Sequence, residues 1–380
     1  MAAVFSSDMD NTDKVVMLRD EVETMKLKLE APSINQSHYK FAVENESTIR
    51  FGLGAIKGVG KAAIETITSE RDENGLFIDL FDLCRRLDLR KVNRRVLDSI
   101  IRSGAVDELG PGRSRISASL DKAIRFAEQS SNNTHSGQDD LFGLFPVVET
   151  DKKTGKEVGS SVFLEAVEWS DDERLIGEKE TLGFYLEGHP IIKYEDELKG
   201  LIGARLKDIK IGNNVRVAGY IHRIRTRSGN RGKMAEVLLD DRTARANVTV
   251  YSNVYQKCSN SLVKDQLVII DGEVVEDDFF MSGYSIIAND IYTLAQMRKH
   301  ANLRLRLCKQ GDCRAEMNYL KETLASYCRG TSYVSVEYRN DQGQCTLSLG
   351  DDWKVNIDDT LLESLRDYLG KDNVYLDYHS

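Results

Sequence analysis

With 380 residues, 41% hydrophobic and 30% charged, the chain exceeds the usual size of one core, so two to four domains are expected in an ordinary water-exposed protein. No apolar run is long enough to span a bilayer and no signal peptide is present, which points to a cytoplasmic place of action. Six cysteines (Cys84, Cys258, Cys308, Cys313, Cys328, Cys345) without Cys-x-x-Cys spacing argue against zinc and disulfides, and the net charge of -9 would oppose nucleic-acid binding had the basic residues not gathered in two places.

Residues 1 to about 33 carry a helical apolar pattern through Val15, Val16, Leu18, Val22, Met25, Leu27 and Leu29. With no partner core of its own, the segment reads as the trailing edge of a domain whose body lies upstream. The first strong motif is Phe51-Gly52-Leu53-Gly54-Ala55-Ile56-Lys57-Gly58-Val59-Gly60-Lys61-Ala62-Ala63-Ile64-Glu65. A helix-like turn leads into Gly58-Val59-Gly60, whose glycines permit positive φ and leave no side chain between backbone and ligand. Ala62, Ala63, Ile64 and Ile67 then start a second helix with its dipole-positive end at the turn, where backbone N–H groups can hold a phosphate. This is the helix-hairpin-helix pattern, which grips a DNA backbone without reading sequence. A nucleotide-binding Gly loop competes with it, but a Walker Gly-Lys-Ser/Thr is absent.

Phe77 to Leu109 repeats the scheme with helices Leu80–Leu87 and Arg94–Ile101 around a turn at Asp88-Leu89-Arg90-Lys91-Val92-Asn93. The turn lacks glycines and offers Arg85, Arg86, Arg90, Lys91, Arg94 and Arg95 instead, either as side-chain contacts to DNA or as a solvated basic face. A helix from about Arg113 to Glu128 follows, with Ile116, Leu120, Ala123, Ile124 and Ala127 on one face.

The tract Gln129 to Gly137 is too polar to repay its ordering entropy and is expected to be mobile. It leads into Gln138-Asp139-Asp140-Leu141-Phe142, an apolar pair behind a Gln and two acids, which reads as a docking peptide for a hydrophobic pocket on another protein. Gln-x-x-Leu-Phe resembles the sliding-clamp-binding motif of bacterial replication proteins. The alternative is a hydrophobic staple onto its own domain, kept open by Gly143-Leu144-Phe145.

Thr150 to Ser160 is a polar loop, and Asp171 to Leu186 is helical, stopping at Gly188-His189-Pro190 with His189 as a capping residue. From Asn214 the period changes to alternation: strands at 215–224, 234–239, 246–251, 266–274 and 284–288, with a short helix near Val254 to Leu262. Five strands with a helix between the third and fourth is the OB-fold order. The first loop, with Arg225, Arg227, Arg231 and Lys233 beside Arg223, is expected to be a flexible basic strap over single-stranded DNA. The loop Glu276-Asp277-Asp278-Phe279-Phe280 is acidic with two rings that could stack a base. Leu303–Leu307, Tyr333–Tyr338, Gln344–Leu349, Trp353–Ile357 and Val374–Tyr378 read as strands, and Ala315–Tyr327 and Leu361–Leu369 as helices, of a small α+β domain. Its acids Asp351, Asp352, Asp358 and Asp359 suggest a protein partner, with Asp351-Asp352 read as solvated turn residues rather than metal ligands. The fold class is therefore multidomain α and β: a helical tandem helix-hairpin-helix domain, a five-stranded OB-fold β-barrel and a small α+β C-terminal domain.

Gly54-Ala55-Ile56-Lys57-Gly58-Val59-Gly60, Asn93-Arg94-Arg95-Val96-Leu97, Ser103-Gly104-Ala105 and Thr181-Leu182-Gly183-Phe184-Tyr185-Leu186-Glu187-Gly188-His189-Pro190, in this order, resemble the C-terminal region of the C-family bacterial replicative polymerase, the DNA polymerase III alpha subunit. The resemblance covers essentially the whole chain. It implies the end of a fingers domain at 1–33, a duplex-DNA-binding hairpin domain at 34–130, a tether with clamp-binding peptide at 131–146, a linker and helical segment at 147–204, an OB-fold domain at 205–297 and a domain binding the clamp-loader tau subunit at 298–380. The implied duplex contacts are Lys57, Gly58, Val59, Gly60, Lys61, Arg90, Lys91, Arg94 and Arg95; the implied beta sliding clamp contacts are Gln138 to Phe142. The family's palm aspartates hold two Mg²⁺ ions and activate the primer hydroxyl. That palm would lie upstream, so no acid here takes the role, no cofactor is expected in this segment, and the isolated chain should incorporate no nucleotide. A competing reading is a stand-alone DNA-binding adaptor of repair or recombination that docks on the clamp; a nuclease would need clustered carboxylates that the sequence does not offer.

Overall fold

The structure is a computed structural model that describes residues 1–136, 163–186, 188–229, 232–278, 283–308, 314–340 and 343–378. The chain divides into two units, Met1–His189 and Pro190–Ser380.

The first unit begins with α1 (Ala2–Asp8) and α2 (Thr12–Thr24), then β1 (Lys28–Glu30), β2 (Ala42–Asn45) and β3 (Thr48–Arg50). The strands form a sheet of order β1-β3-β2, with β1 parallel to β3 and β2 antiparallel to it. The first residues do have a core: Phe5, Val15, Val16 and Val22 are buried in the same cluster as Leu53, Ile64 and Leu80. Phe5 stacks on Phe41 at 4.7 Å, and Phe41 meets Phe51 edge-on at 4.7 Å. The periodicity reading carried the helix through Leu29, but Lys26 takes φ 58°, which ends α2 and turns the chain into β1. That parallel strand brings the segment onto the hairpin domain.

Helices α3 (Lys61–Asn74), α4 (Leu80–Arg86), α5 (Arg94–Arg102), α6 (Arg113–Ser136) and α7 (Asp171–Leu182) complete the unit. Their starts follow capping chemistry: Asp79 accepts from Asp82 N at 2.8 Å, Asn93 from Val96 N at 3.1 Å, and Ser170 with Glu173 forms a capping box. On α6 the expected face, Ile116, Leu120, Ala123 and Ala127, is buried. The helix then runs on to Ser136, through residues whose polar composition suggested mobility. Once a packed segment has nucleated, each further residue adds one backbone hydrogen bond at small cost. The docking peptide at 138–142 and the loop at 150–160 lie outside the described residues. Helix α7 stops at Leu182 rather than Leu186 because Gly183 adopts φ 93° and caps it, its N–H donating to Lys179 O. His189 is therefore no cap; it is buried, with its ring edge-on to Tyr185 at 5.2 Å.

The second unit opens with a 3₁₀ turn, Pro190–Tyr194, and α8 (Glu195–Lys199). Strands β4 (Asn214–Gly229), β5 (Gly232–Asp240), β6 (Arg245–Val250), β7 (Leu267–Glu276) and β8 (Tyr284–Thr293) close into a barrel of order β4-β5-β6-β8-β7, with α9 (Ser252–Cys258) between the third and fourth strands as expected. Alternate residues Val217, Ile221, Val237, Leu239, Val248, Val268, Ile270 and Ile286 fill it.

After α10 (Leu294–Arg298) come β9 (Ala301–Cys308), α11 (Arg314–Ala325), β10 (Cys328–Ser332), β11 (Val334–Asn340), β12 (Gly343–Ser348), α12 (Asp359–Leu369) and β13 (Val374–Tyr378). The sheet order is β12-β11-β9-β13, and leucines of α11 and α12 bury Leu303, Leu305, Val334, Val336 and Val374. The expected strand Trp353–Ile357 is not one: Asp351–Trp353 is a 3₁₀ turn and Val355 makes only single bridges to Cys328 and Ser332.

A buried polar knot ties this domain to the barrel's last helix. Arg298 donates to both carboxylate oxygens of Glu197 at 2.8 Å and to Asp359 at 2.8 Å. The Tyr194 hydroxyl donates to Asp359 at 2.7 Å, and that of Tyr378 to Glu197. Burial disfavours the Arg298 charge, but Glu197 and Asp359 outweigh it and raise its pKa above the ordinary guanidinium value. Two acids read as partner-facing surface are thus used internally, since Asp358 caps α12 by accepting from Leu361 N at 2.8 Å.

Candidate nucleic-acid interface

The first hairpin turn is held from two sides. Its Lys57 N–H donates to Thr181 O at the end of α7 at 2.8 Å, and a Cβ on Gly58 would meet Ser99 Oγ of α5 at 3.1 Å. Gly58 takes φ +85°, a conformation that strains a side-chain-bearing residue. Gly60 does not: it is the N-cap of α3 at φ -78°, and a Cβ there would have nothing within 4 Å. No side chain caps this helix, and no hydrogen bond within the chain engages the N–H groups of Gly60, Lys61 or Ala62. These exposed donors sit at the positive end of a 14-residue helix, an arrangement that accepts an oxyanion. Lys57 and Lys61 are exposed beside them, with Lys61 3.7 Å from Glu65 and over the Tyr39 ring. Val59 points the other way and is buried, so it anchors the turn rather than touching a ligand.

The second turn is built differently. Asp88 O accepts from both Lys91 N and Val92 N, and its carboxylate accepts from Arg90 N at 3.1 Å and Arg90 Nε at 3.0 Å. The guanidinium lowers the Asp88 pKa. Arg94 donates to Asp121 of α6 at 2.7 Å. Among the described residues Lys91 and Arg95 have no carboxylate partner and are exposed, which leaves them as the readier cations of this hairpin. Arg86 is structural: it reaches Glu70 at 2.9 Å, Asp82 at 3.1 Å and the carbonyls of Leu76, Gly75 and Glu70, and lies over the Phe77 ring.

On the barrel, the expected flexible strap is an ordered β-ladder. Strands β4 and β5 stay paired out to Gly229 and Gly232, so Arg223, Arg225 and Arg227 line one face opposite Leu238, Glu236 and Met234. Arg227 lies 3.3 Å from Glu236. Lys233 pairs with Ser228 and belongs to the other face, while Arg231, Phe279 and Phe280 lie outside the described residues. The Asp88 clamp on Arg90 could have been seen in sequence, two residues away within a turn. The Asp121 and Thr181 contacts could not, since nothing local marks them.

Comparison with known proteins matches the helix-hairpin-helix motif to residues 26–116, the OB-fold nucleic acid binding domain to 215–294, and the DNA polymerase III subunit alpha, C-terminal domain, to 319–370. Over 100% of its length the chain is 39% identical to DNA polymerase III subunit alpha of Pseudomonas fluorescens and 37% identical to those of Pseudomonas aeruginosa and Escherichia coli (strain K12). The chain belongs to the DNA polymerase III alpha-subunit family. It spans about a third of the length of these relatives, 33%, 33% and 32% respectively. A replication protein A domain from Methanococcus maripaludis is similar in structure over 24% of this chain and 93% of its own, with 12% identity and a TM-score of 0.20.

Within the alpha-subunit family the hairpin and barrel are the nucleic-acid-binding architectures, and both are present here. Among the described residues no three His, Cys, Asp or Glu side chains converge to hold a metal, so nothing described fits a pair of Mg²⁺ ions. Asp351 instead pairs with Lys354 at 2.8 Å, which lowers its pKa. No helix of the described residues is long and apolar enough to cross a membrane.

Proposed function

We propose that this chain is the DNA-, sliding-clamp- and clamp-loader-binding part of a cytoplasmic replicative DNA polymerase III alpha subunit, and that it keeps synthesis processive. The observation that carries the reading is the uncapped start of α3 behind the left-handed Gly58 turn, in a chain matched from end to end by alpha subunits. A duplex phosphate there accepts from the Gly60, Lys61 and Ala62 N–H groups, with Lys57, Lys61, Lys91 and Arg95 as counter-charges. Such contacts position the duplex without reading its sequence. The ridge of Arg223, Arg225 and Arg227 takes single-stranded template, and the C-terminal domain takes the tau subunit.

Leu141 and Phe142 dock in the clamp with Gln138 setting register. Neither the DNA nor the clamp contact needs to be tight, because linkage makes the second event intramolecular. The chain alone incorporates no nucleotide: its acids offer no match to the palm aspartates, whose Mg²⁺ chemistry belongs to the polymerase as a whole. The end-to-end match favours this reading over a separate repair adaptor.

The test is surface plasmon resonance of the chain on purified sliding clamp, for wild type and Leu141→Ala/Phe142→Ala. Each true anchor is worth roughly 2 kcal/mol or more, so the double variant should lose binding. Wild-type binding that persists unchanged in the variant makes the pair a linker staple and rejects the clamp reading.

A further inference from the structure

The C-terminal sheet has two edges, and they are not treated alike. At β13 the edge carries Asp377, paired with Arg304 at 2.6 Å, and Tyr378, whose hydroxyl is committed to Glu197. At β12 every residue from Gly343 to Ser348 is exposed. This strand, Gly343-Gln344-Cys345-Thr346-Leu347-Ser348, has no charge and no proline, and its register with β11 is unbroken from Asn340↔Gly343 to Ser335↔Ser348. Natural sheet edges are guarded against foreign strands by lysines, prolines, bulges or cover. None of these guards β12.

The helix layer also stops short of it. Leu347 stands opposite Val336, which is 4% exposed and under the helices, yet Leu347 itself is 53% exposed. Cys345, opposite Tyr338, is exposed on the same side, whereas Gln344 and Thr346 face the polar side, where Gln344 bonds Glu337 at 2.7 Å. Alternate residues of an edge strand direct N–H and C=O away from their neighbour, and another extended backbone satisfies that row in register. Neutrality of the strand disfavours a charged polymer such as nucleic acid, and the two-faced pattern selects a segment with apolar side chains on alternate positions.

We propose that β12 is the docking edge of this domain: an extended, alternately apolar segment of the clamp-loader tau subunit adds a fifth strand beside it. This rests on the reading of the C-terminal domain as the clamp-loader site. The segment needs about six residues to run the length of β12. Its apolar side chains continue the layer of Val336 and Leu347, and its polar ones lie beside Gln344 and Thr346.

The test uses the full chain and purified tau. Amide hydrogen exchange of Gly343–Ser348 is followed with and without tau, and affinity is measured for wild type, Cys345→Lys/Leu347→Lys and Leu347→Val. Exchange across β12 should slow on binding; the double lysine variant should bind about tenfold or more weakly with an unchanged melting temperature, and Leu347→Val within about twofold. The exchange experiment needs no variant, so it stands even if the lysine variant misfolds. Tight binding with β12 exchange unchanged overturns this inference and leaves the loader site elsewhere on the domain. No binding by wild type overturns the loader reading itself, a different result. Protection that appears with chain concentration alone assigns the edge to a second copy and also overturns the proposal.

Discussion

Replacing Arg298 by Met should destabilise the second unit by about 3–5 kcal/mol, the usual cost of removing one partner from a buried ion pair. Arg298 makes two hydrogen bonds to Glu197 and one to Asp359, with side-chain exposures of 6%, 2% and 41% for the three groups. Hydrogen bonds to charged groups contribute roughly 1.5–3 kcal/mol each, and the relief of desolving a guanidinium offsets part of the total. The larger loss is at Glu197, which stays buried with only the Tyr378 hydroxyl for company. Arg298→Met/Glu197→Met removes both charges and should recover most of the loss, giving a coupling of about 2 kcal/mol or more. Urea unfolding read by tryptophan fluorescence measures this cleanly. Of the two tryptophans, Trp353 packs on the C-terminal core and Trp169 lies in the first unit, so a Trp169→Phe background reports the C-terminal domain alone. A single-variant loss below about 1 kcal/mol, or simple additivity in the double variant, would refute the knot as a stabilising unit.

Gly58→Val should cost about 1–2 kcal/mol of stability in the first unit, since a side chain at φ +85° is strained and meets Ser99, whereas Gly60→Ala should leave the melting temperature unchanged while weakening duplex binding in fluorescence anisotropy. Equal loss of stability from both would contradict the assigned roles. Asp121→Asn releases Arg94 from its exposed ion pair and should tighten duplex binding, steepening the salt dependence by about one phosphate contact; an unchanged slope would mean that Arg94 points away from the DNA. Burial opposes ionisation of Asp359, but the Tyr194 hydroxyl and Arg298 prevail and lower its pKa from the ordinary 3.8. A depressed folded-state value contributes stability that is complete above the unfolded value and lost as pH falls through the folded one. An acid titration of the C-terminal transition should therefore hold level down to about pH 4 and then fall, and Asp359→Asn should flatten that decline.

How much of this was legible in sequence depends on whether the deciding contact is local. Alternation at Val215–Ile224 and the apolar runs after it gave the barrel order, because one buried face forces period two. Gly58 was legible as a left-handed position, yet Gly60 shares its residue type and serves as an N-cap in extended backbone. The ladder at Arg225 to Ser228 was read as a loop because it has no apolar alternation; backbone pairing with β5 carries it where side-chain pattern is silent. The knot was invisible for another reason: Glu197 and Arg298 are 101 residues apart, and two charged residues in polar surroundings carry no sign that they will be buried together. Asp358 and Asp359 looked like surface for the same cause.

The continuation of β4 and β5 beyond the barrel turns a would-be tether into a ruler. Along a strand, alternate residues recur every 6–7 Å or so, which fixes the spacing of Arg223, Arg225 and Arg227 before any ligand arrives. Charges on a loose strap must first be collected, at an ordering cost of about 0.5–1.5 kcal/mol for each long side chain and more for the backbone. Charges on a ladder have spent the backbone share during folding. A passing single strand would thus be sampled at a set pitch, with short dwell and little hysteresis, which suits a machine that has to let go of each nucleotide as readily as it takes the next.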